Sequence, residues 1–138
     1  DGIWRTDNGG TTWVQQKTGY FIDAEFKPGD PNYVYAIACD MSRGFYGLYR
    51  STNAGVSWTQ QSNGSLVNIL SWYSGVGSPG GQGTYDLTLI VDPSNRDRLY
   101  AGGVNCWGSD DGGVNWNGMS YWVNYYGQSI HADQHQFK

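Results

Sequence analysis

The chain has 138 residues, a formal net charge of −4, only 14% charged residues and no cluster of Lys or Arg. Nucleic acids and anionic membranes bind chiefly through basic patches, so neither is expected as a partner, and no apolar run is long enough to insert into a membrane. Aromatics at 16%, 21 glycines and no long apolar pattern at helical spacing predict an all-β chain with tight turns. In chain order, a short strand at Gly2-Ile3-Trp4-Arg5 opens the sequence. Strands follow near 21–27, 32–39, 46–51 and 56–61, then near 85–92, 98–104, 105–109 and 114–120. A last strand is expected over 131–138, where His135-Gln136-Phe137-Lys138 fits the register of Ala24-Glu25-Phe26-Lys27. The first residues do not read as a signal peptide. Cys39 and Cys106 match no metal-ligand spacing and are expected as free thiols.

Three octapeptides repeat between these strands: Thr6-Asp7-Asn8-Gly9-Gly10-Thr11-Thr12-Trp13, Ser51-Thr52-Asn53-Ala54-Gly55-Val56-Ser57-Trp58 and Ser109-Asp110-Asp111-Gly112-Gly113-Val114-Asn115-Trp116. Each reads Ser/Thr, any residue, Asp/Asn, any, Gly, any, a small polar residue, Trp. Such a sequence predicts a hairpin turn. The Asp/Asn side chain accepts backbone N–H groups, the glycine supplies a positive φ, and the Trp starts the next strand with its ring on the turn. A second repeat aligns Phe26-Lys27-Pro28 and Tyr33-Val34-Tyr35-Ala36 with Val91-Asp92-Pro93 and Arg98-Leu99-Tyr100-Ala101. In each, Pro ends a strand because it cannot donate to the ladder.

On these motifs the chain resembles the Asp-box (BNR) repeat proteins, which include sialidases, xyloglucan-cleaving glycosidases, sortilin-type receptors and secreted bacterial propellers. The resemblance implies a segment of a β-propeller with four-stranded antiparallel blades. Residues 1–18 would be the outer half of a blade, 20–62 and 84–121 two blades, and 131–138 the first strand of another. A propeller closes with about four to eight blades, and each blade buries its faces only against neighbours. The remaining blades are therefore expected from the same, longer chain or from other copies. The resemblance also implies an extracellular or cell-surface protein, and boxes that are structural and lie away from the ligand face. Thr6, Asn8, Gly10 and Trp13, then Ser51, Asn53, Gly55 and Trp58, then Ser109, Asp111, Gly113 and Trp116 carry that structural role.

Function is then expected in long loops on the rigid scaffold. Ser62 to Thr84 carries Trp72 and Tyr73; Asn117 to Ile130 carries Tyr121, Trp122, Tyr125 and Tyr126; Asp40 to Tyr46 is a third. Exposed Trp and Tyr rings can stack on sugars, so a glycan or a protein is the expected ligand, with these aromatics, His131 and His135 as candidate contacts. The alternative for each aromatic is packing between blades. His131-Ala132-Asp133-Gln134-His135 is the one cluster with a chemical look: as a strand it would place His131, Asp133 and His135 on one face, as a structural cluster, a ligand contact or a metal site. No cofactor is otherwise expected. A glycoside hydrolase would need two carboxylates about 5–10 Å apart. Asp86 and Asp133 are the candidates, with Asp23 and Glu25 nearby on an expected innermost strand, while no arginine cluster of the sialidase kind is visible.

Overall fold

The computed structural model describes residues 1–73, 75, 77–123 and 129–137, without the side chains of Phe21 and Ile22. The described residues contain no helix. Strands β1 (Gly2–Arg5) and β2 (Val14–Thr18) form an antiparallel hairpin. Strands β3 (Phe21–Lys27), β4 (Asp30–Cys39), β5 (Phe45–Ser51) and β6 (Thr59–Ser62) form one four-stranded antiparallel sheet in chain order. Strands β7 (Thr88–Val91), β8 (Leu99–Gly102), β9 (Cys106–Ser109) and β10 (Asn117–Ser120) form another in the same order.

Strands β6, β7 and β10 start later than the sequence suggests, for one reason: backbone donors near their expected starts are spent in turns. The N–H groups of Ser57 and Asn115 donate to Asn53 Oδ1 and Asp111 Oδ1, both at 2.9 Å, so β6 and β10 start after the octapeptides. The N–H of Tyr85 donates to the Gln82 carbonyl at 2.7 Å, and β7 starts only at Thr88.

The hairpin and the two sheets stack face to face. On β4 the pairs Val34–Ser51, Ala36–Tyr49 and Ala38–Gly47 share one face, and Tyr35–Arg50 and Ile37–Leu48 share the other. The first face meets the hairpin, where Lys17 Nζ lies 4.3 Å from the centre of the Tyr49 ring. The second meets the β7–β10 sheet, so Val34 to Cys39 are all buried. A strand covered on both sides reads as a continuous apolar run, as Val34-Tyr35-Ala36-Ile37-Ala38-Cys39 does. Tyr35, Ile37 and Leu48 interlock with Leu89, Val91, Leu99, Ala101, Trp107 and Trp116 in the main core. Burying a large apolar side chain contributes about 1.5–3 kcal/mol.

The expected strand over 131–138 is not formed among the described residues. Asp133 has φ 75°, which breaks the extended backbone. The segment binds the neighbouring sheet through single contacts rather than a ladder: Gln134 N–H to the Gly103 carbonyl at 3.0 Å and Phe137 N–H to Thr88 Oγ1 at 3.3 Å. Lys138 lies outside the described residues. Cys39 and Cys106 are free thiols, and burial pushes both above the usual thiol range.

Candidate functional site

The three octapeptides fold into the same hydrogen-bonded turn. In the first, Thr6 Oγ1 accepts Gly10 N–H at 2.9 Å and donates to Asn8 Oδ1 at 3.0 Å, and Asn8 Oδ1 accepts Thr12 N–H at 2.9 Å. Ser51, Asn53, Gly55 and Ser57 repeat the pattern, as do Ser109, Asp111, Gly113 and Asn115. The shared glycine sits at φ 89°, 81° and 82° in Gly10, Gly55 and Gly113. Burial would raise Asp111, but the backbone and side chain of Asn115, Ser109 and the Val114 N–H together hold its carboxyl below the usual range.

The tryptophans divide. Trp13 and Trp58 donate their indole N–H to the Gly10 and Gly55 carbonyls, both at 3.1 Å, and so lie over their own turns. Trp116 instead donates to Ser62 Oγ at 3.1 Å and is buried against the first sheet. Arginines tie the layers together: Arg5 Nε donates to the Ala54 carbonyl at 2.8 Å, and Arg50 pairs with Asp97 at 3.4 Å. These groups are occupied in holding turns and layers.

The aromatic loops meet at one edge. Residues 63–87 join β6 to β7, but this loop is not loose. Asn68 clamps it: Oδ1 accepts Phe45 N–H at 2.7 Å and Nδ2 donates to the Gly80 carbonyl at 2.7 Å. Ile69 and Leu70 then enter the core, so they, and not the loop aromatics, plug the end of the stack. Trp72 and Tyr73 stand outward, 49% and 48% exposed. Trp122, 42% exposed, donates its indole N–H to the Trp72 carbonyl. Asn105 fixes this junction from beneath. Fully buried, it donates Nδ2 to the Ser71 and Tyr73 carbonyls at 3.1 and 2.9 Å, and its Oδ1 accepts the Trp122 N–H at 3.0 Å. In sequence Asn105 is marked only as a polar residue just before β9. Neither Asn63–Thr84 nor Gly112–Ile130 carries a charged residue, so the edge offers rings, amides and hydroxyls.

Tyr121 takes the packing alternative: it is half-buried and packs edge-on against Trp107, with ring centres 5.9 Å apart. Tyr125 and Tyr126 lie outside the described residues.

A second neighbourhood lies where β3 faces β7. A cavity of about 570 Å³ is lined there by Asp23, Glu25, Thr88, His135, Gln136 and Phe137, among others. Asp23 Oδ2 accepts the Leu89 N–H at 2.9 Å, which joins the facing edge strands of the two sheets. Burial, reinforced by the Asp23 charge, pushes Glu25 above the usual carboxylate range. Asp23 is thus placed to accept hydrogen bonds from the facing strand.

Asp86 does not line this cavity. It is buried with both carboxylate oxygens lacking a hydrogen-bond partner. Burial is the main cause that pushes it up to about 6; the Asp133 charge adds to this, while nearby backbone N–H groups and His135 oppose it. Asp133, His131 and His135 are exposed, and no group of three His, Cys, Asp or Glu side chains among the described residues comes together to hold a metal ion. The turn at Asp133 interrupts the regular strand on which a shared face for His131, Asp133 and His135 was expected. His135 packs edge-on against Tyr85 at 5.3 Å, and His131 Nδ1 lies 2.6 Å from the Ala132 carbonyl.

No protein-family model and no curated protein matches the sequence. Solved structures do. The fold is similar to part of an ancestral GH74 enzyme, at TM-score 0.64 and 19% identity over 89% of this chain. It is also similar to part of a GH74 enzyme of Niastella koreensis, at TM-score 0.60 and 20% identity over 96% of this chain. The chain spans 16% and 20% of those two enzymes. At such identities the likeness is one of fold: an all-β stack of four-stranded antiparallel sheets.

Proposed function

We propose that the chain is a segment of a secreted or surface-displayed Asp-box β-propeller, and that its Trp72–Trp122 edge binds a glycan. The observation that carries this reading is the pairing itself: two exposed indoles on uncharged loops, locked together by the buried Asn105. Rings held in advance lose little rotamer entropy when a sugar face settles on them. A flexible aromatic loop would have to be ordered at each encounter. The repeated turn and the likeness to GH74 enzymes support the propeller part of the reading.

The test is affinity electrophoresis through gels holding soluble neutral polysaccharides. Trp72→Ala and Trp122→Ala are each expected to weaken retardation about tenfold, which is about 1.4 kcal/mol, with the melting temperature unchanged. Wild-type retardation in both variants would remove the aromatic edge from the binding surface.

A second reading is a segment of a glycoside hydrolase. The likeness to GH74 enzymes and the Asp23–Glu25 cavity favour it. Glu25, whose carboxyl is pushed up by burial and the Asp23 charge, would be the acid of that pair. In that case Glu25→Gln abolishes turnover of a chromogenic glycoside while leaving binding at the Trp72–Trp122 edge intact; unchanged turnover excludes Glu25.

A further inference from the structure

Residues 131–137 cross the end of the β7–β10 sheet and cover a group that the proposed binding edge does not use. Beneath them lies Asp86, 1% exposed, with no hydrogen bond to either carboxylate oxygen. A carboxylate in such a place is costly when charged and tolerable when protonated. The segment above it is held by few contacts. Gln134 N–H donates to the Gly103 carbonyl at 3.0 Å, and Phe137 N–H to Thr88 Oγ1 at 3.3 Å. His135 leans edge-on against Tyr85, and Phe137 rests on Gly102, where an added Cβ would come within 2.6 Å of the ring. Asp133, at φ 75°, is the bend in the segment.

We propose that residues 131–137 form a strap that is shut over Asp86 while its carboxyl carries a proton and is released when that carboxyl ionises. Ionisation leaves a buried charge that the nearby Asp86 and Asp133 N–H groups only partly offset, and the simplest further relief is water, admitted by lifting the strap. The charged groups that act on Asp86 both belong to the strap. Asp133 repels the ionised carboxylate and so favours release; His135, when protonated, attracts it and opposes release. The Gly103–Val104–Asn105 turn on the other side brings no charge. Burial places the midpoint near pH 6, where Asp86 titrates. The strap also forms one wall of the Asp23–Glu25 cavity through His135, Gln136 and Phe137. Release therefore opens that cavity as the pH rises from acid to neutral.

Amide hydrogen exchange on the protein between pH 5 and pH 8, corrected for intrinsic rates, tests this. The protection of the Gln134 and Phe137 amides is expected to fall about tenfold as the pH rises, while Ile37 in the core strand β4 stays protected. In Asp86→Asn the fall should vanish. In Asp133→Asn, which removes the repelling charge and leaves Asp86 in place, the midpoint should move to lower pH. Protection independent of pH in the wild type overturns the proposal. So does an equal fall in Asp86→Asn, an unmoved midpoint in Asp133→Asn, or loss of protection that extends to Ile37.

Discussion

The turn hydroxyls make the same bonds in different surroundings, which allows their worth to be compared. Ser109 is buried and its Oγ accepts Gly113 N–H at 2.9 Å, while Thr6 makes the matching bond to Gly10 at an exposed turn. Water can replace the partner at Thr6 and not at Ser109. Ser109→Ala should therefore cost about 1–3 kcal/mol in urea unfolding, and Thr6→Ala about 1 kcal/mol or less. Equal costs would mean that burial does not set the value of this bond. Gly113 adds a steric limit. A Cβ there would come within 1.9 Å of Leu48 Cδ2, at φ 82°, whereas at Gly9, φ 68°, it would meet nothing. Gly113→Ala should destabilise well beyond the roughly 1–2 kcal/mol of a left-handed non-glycine residue, and Gly9→Ala should stay near it. The same unfolding series decides. Asp86 gives a third test. Its folded-state value of about 6 lies above the ordinary 3.8, so the folded state keeps a proton that the unfolded chain has lost. Stability is then greatest below about pH 4 and falls as the pH rises toward about 6. Asp86→Asn should flatten that slope and leave the acid-side stability alone.

At the scale of elements, strand positions were readable and loop roles were not. Val34 to Cys39 was readable as a strand, and the octapeptides declared their turns through local chemistry, because the bonding partners lie within four residues of each other. The loop at 63–87 hides its logic in long-range bonds. Nothing near Asn68 in sequence says that its side chain will hold Phe45, or that Ile69 and Leu70 will enter the core. Asn105 is harder still, since its partners Ser71 and Tyr73 lie more than thirty residues away. Trp72 and Trp122 were legible as candidates by residue type, but their adjacency was not. Tyr121 looked the same in sequence but packs edge-on against Trp107, a contact that residue type alone does not reveal. The 131–137 segment failed as a strand because the left-handed backbone at Asp133 interrupts it, which a pattern of alternation does not reveal. Asn105→Asp follows from this. The carboxylate keeps the shape and the acceptor but loses both donors, so the Ser71 and Tyr73 carbonyls go unpaired. If the edge binds glycan, affinity should fall at least as far as in Trp122→Ala, and indole fluorescence should shift as the two rings separate. A fall in melting temperature with binding per folded molecule unchanged would confine Asn105 to stability.

The whole molecule is a stack with two unlike ends. At one end the β1–β2 hairpin turns Trp4 to solvent, 51% exposed. At the other, the far face of the β7–β10 sheet holds an apolar cavity of about 340 Å³ lined by Ile90, Tyr100, Cys106, Met119 and Phe137. Every internal face between these ends is closed by a neighbouring layer, and the ends resemble such faces with the neighbour removed. Because the ends differ, one end of a copy fits the opposite end of the next, and contact of that kind propagates rather than stopping at a pair. The 138 residues prepared alone should therefore show a sedimentation coefficient that climbs with concentration without a plateau at the dimer. Trp4→Lys disables one end and Met119→Lys the other, and each variant alone should sediment as a monomer. Mixed in equal amounts, they should form a dimer and nothing larger, since one intact end remains on each partner. Growth of either variant alone would show that the association is like-to-like, and a mixture that stays monomeric would show that these faces do not recognise each other.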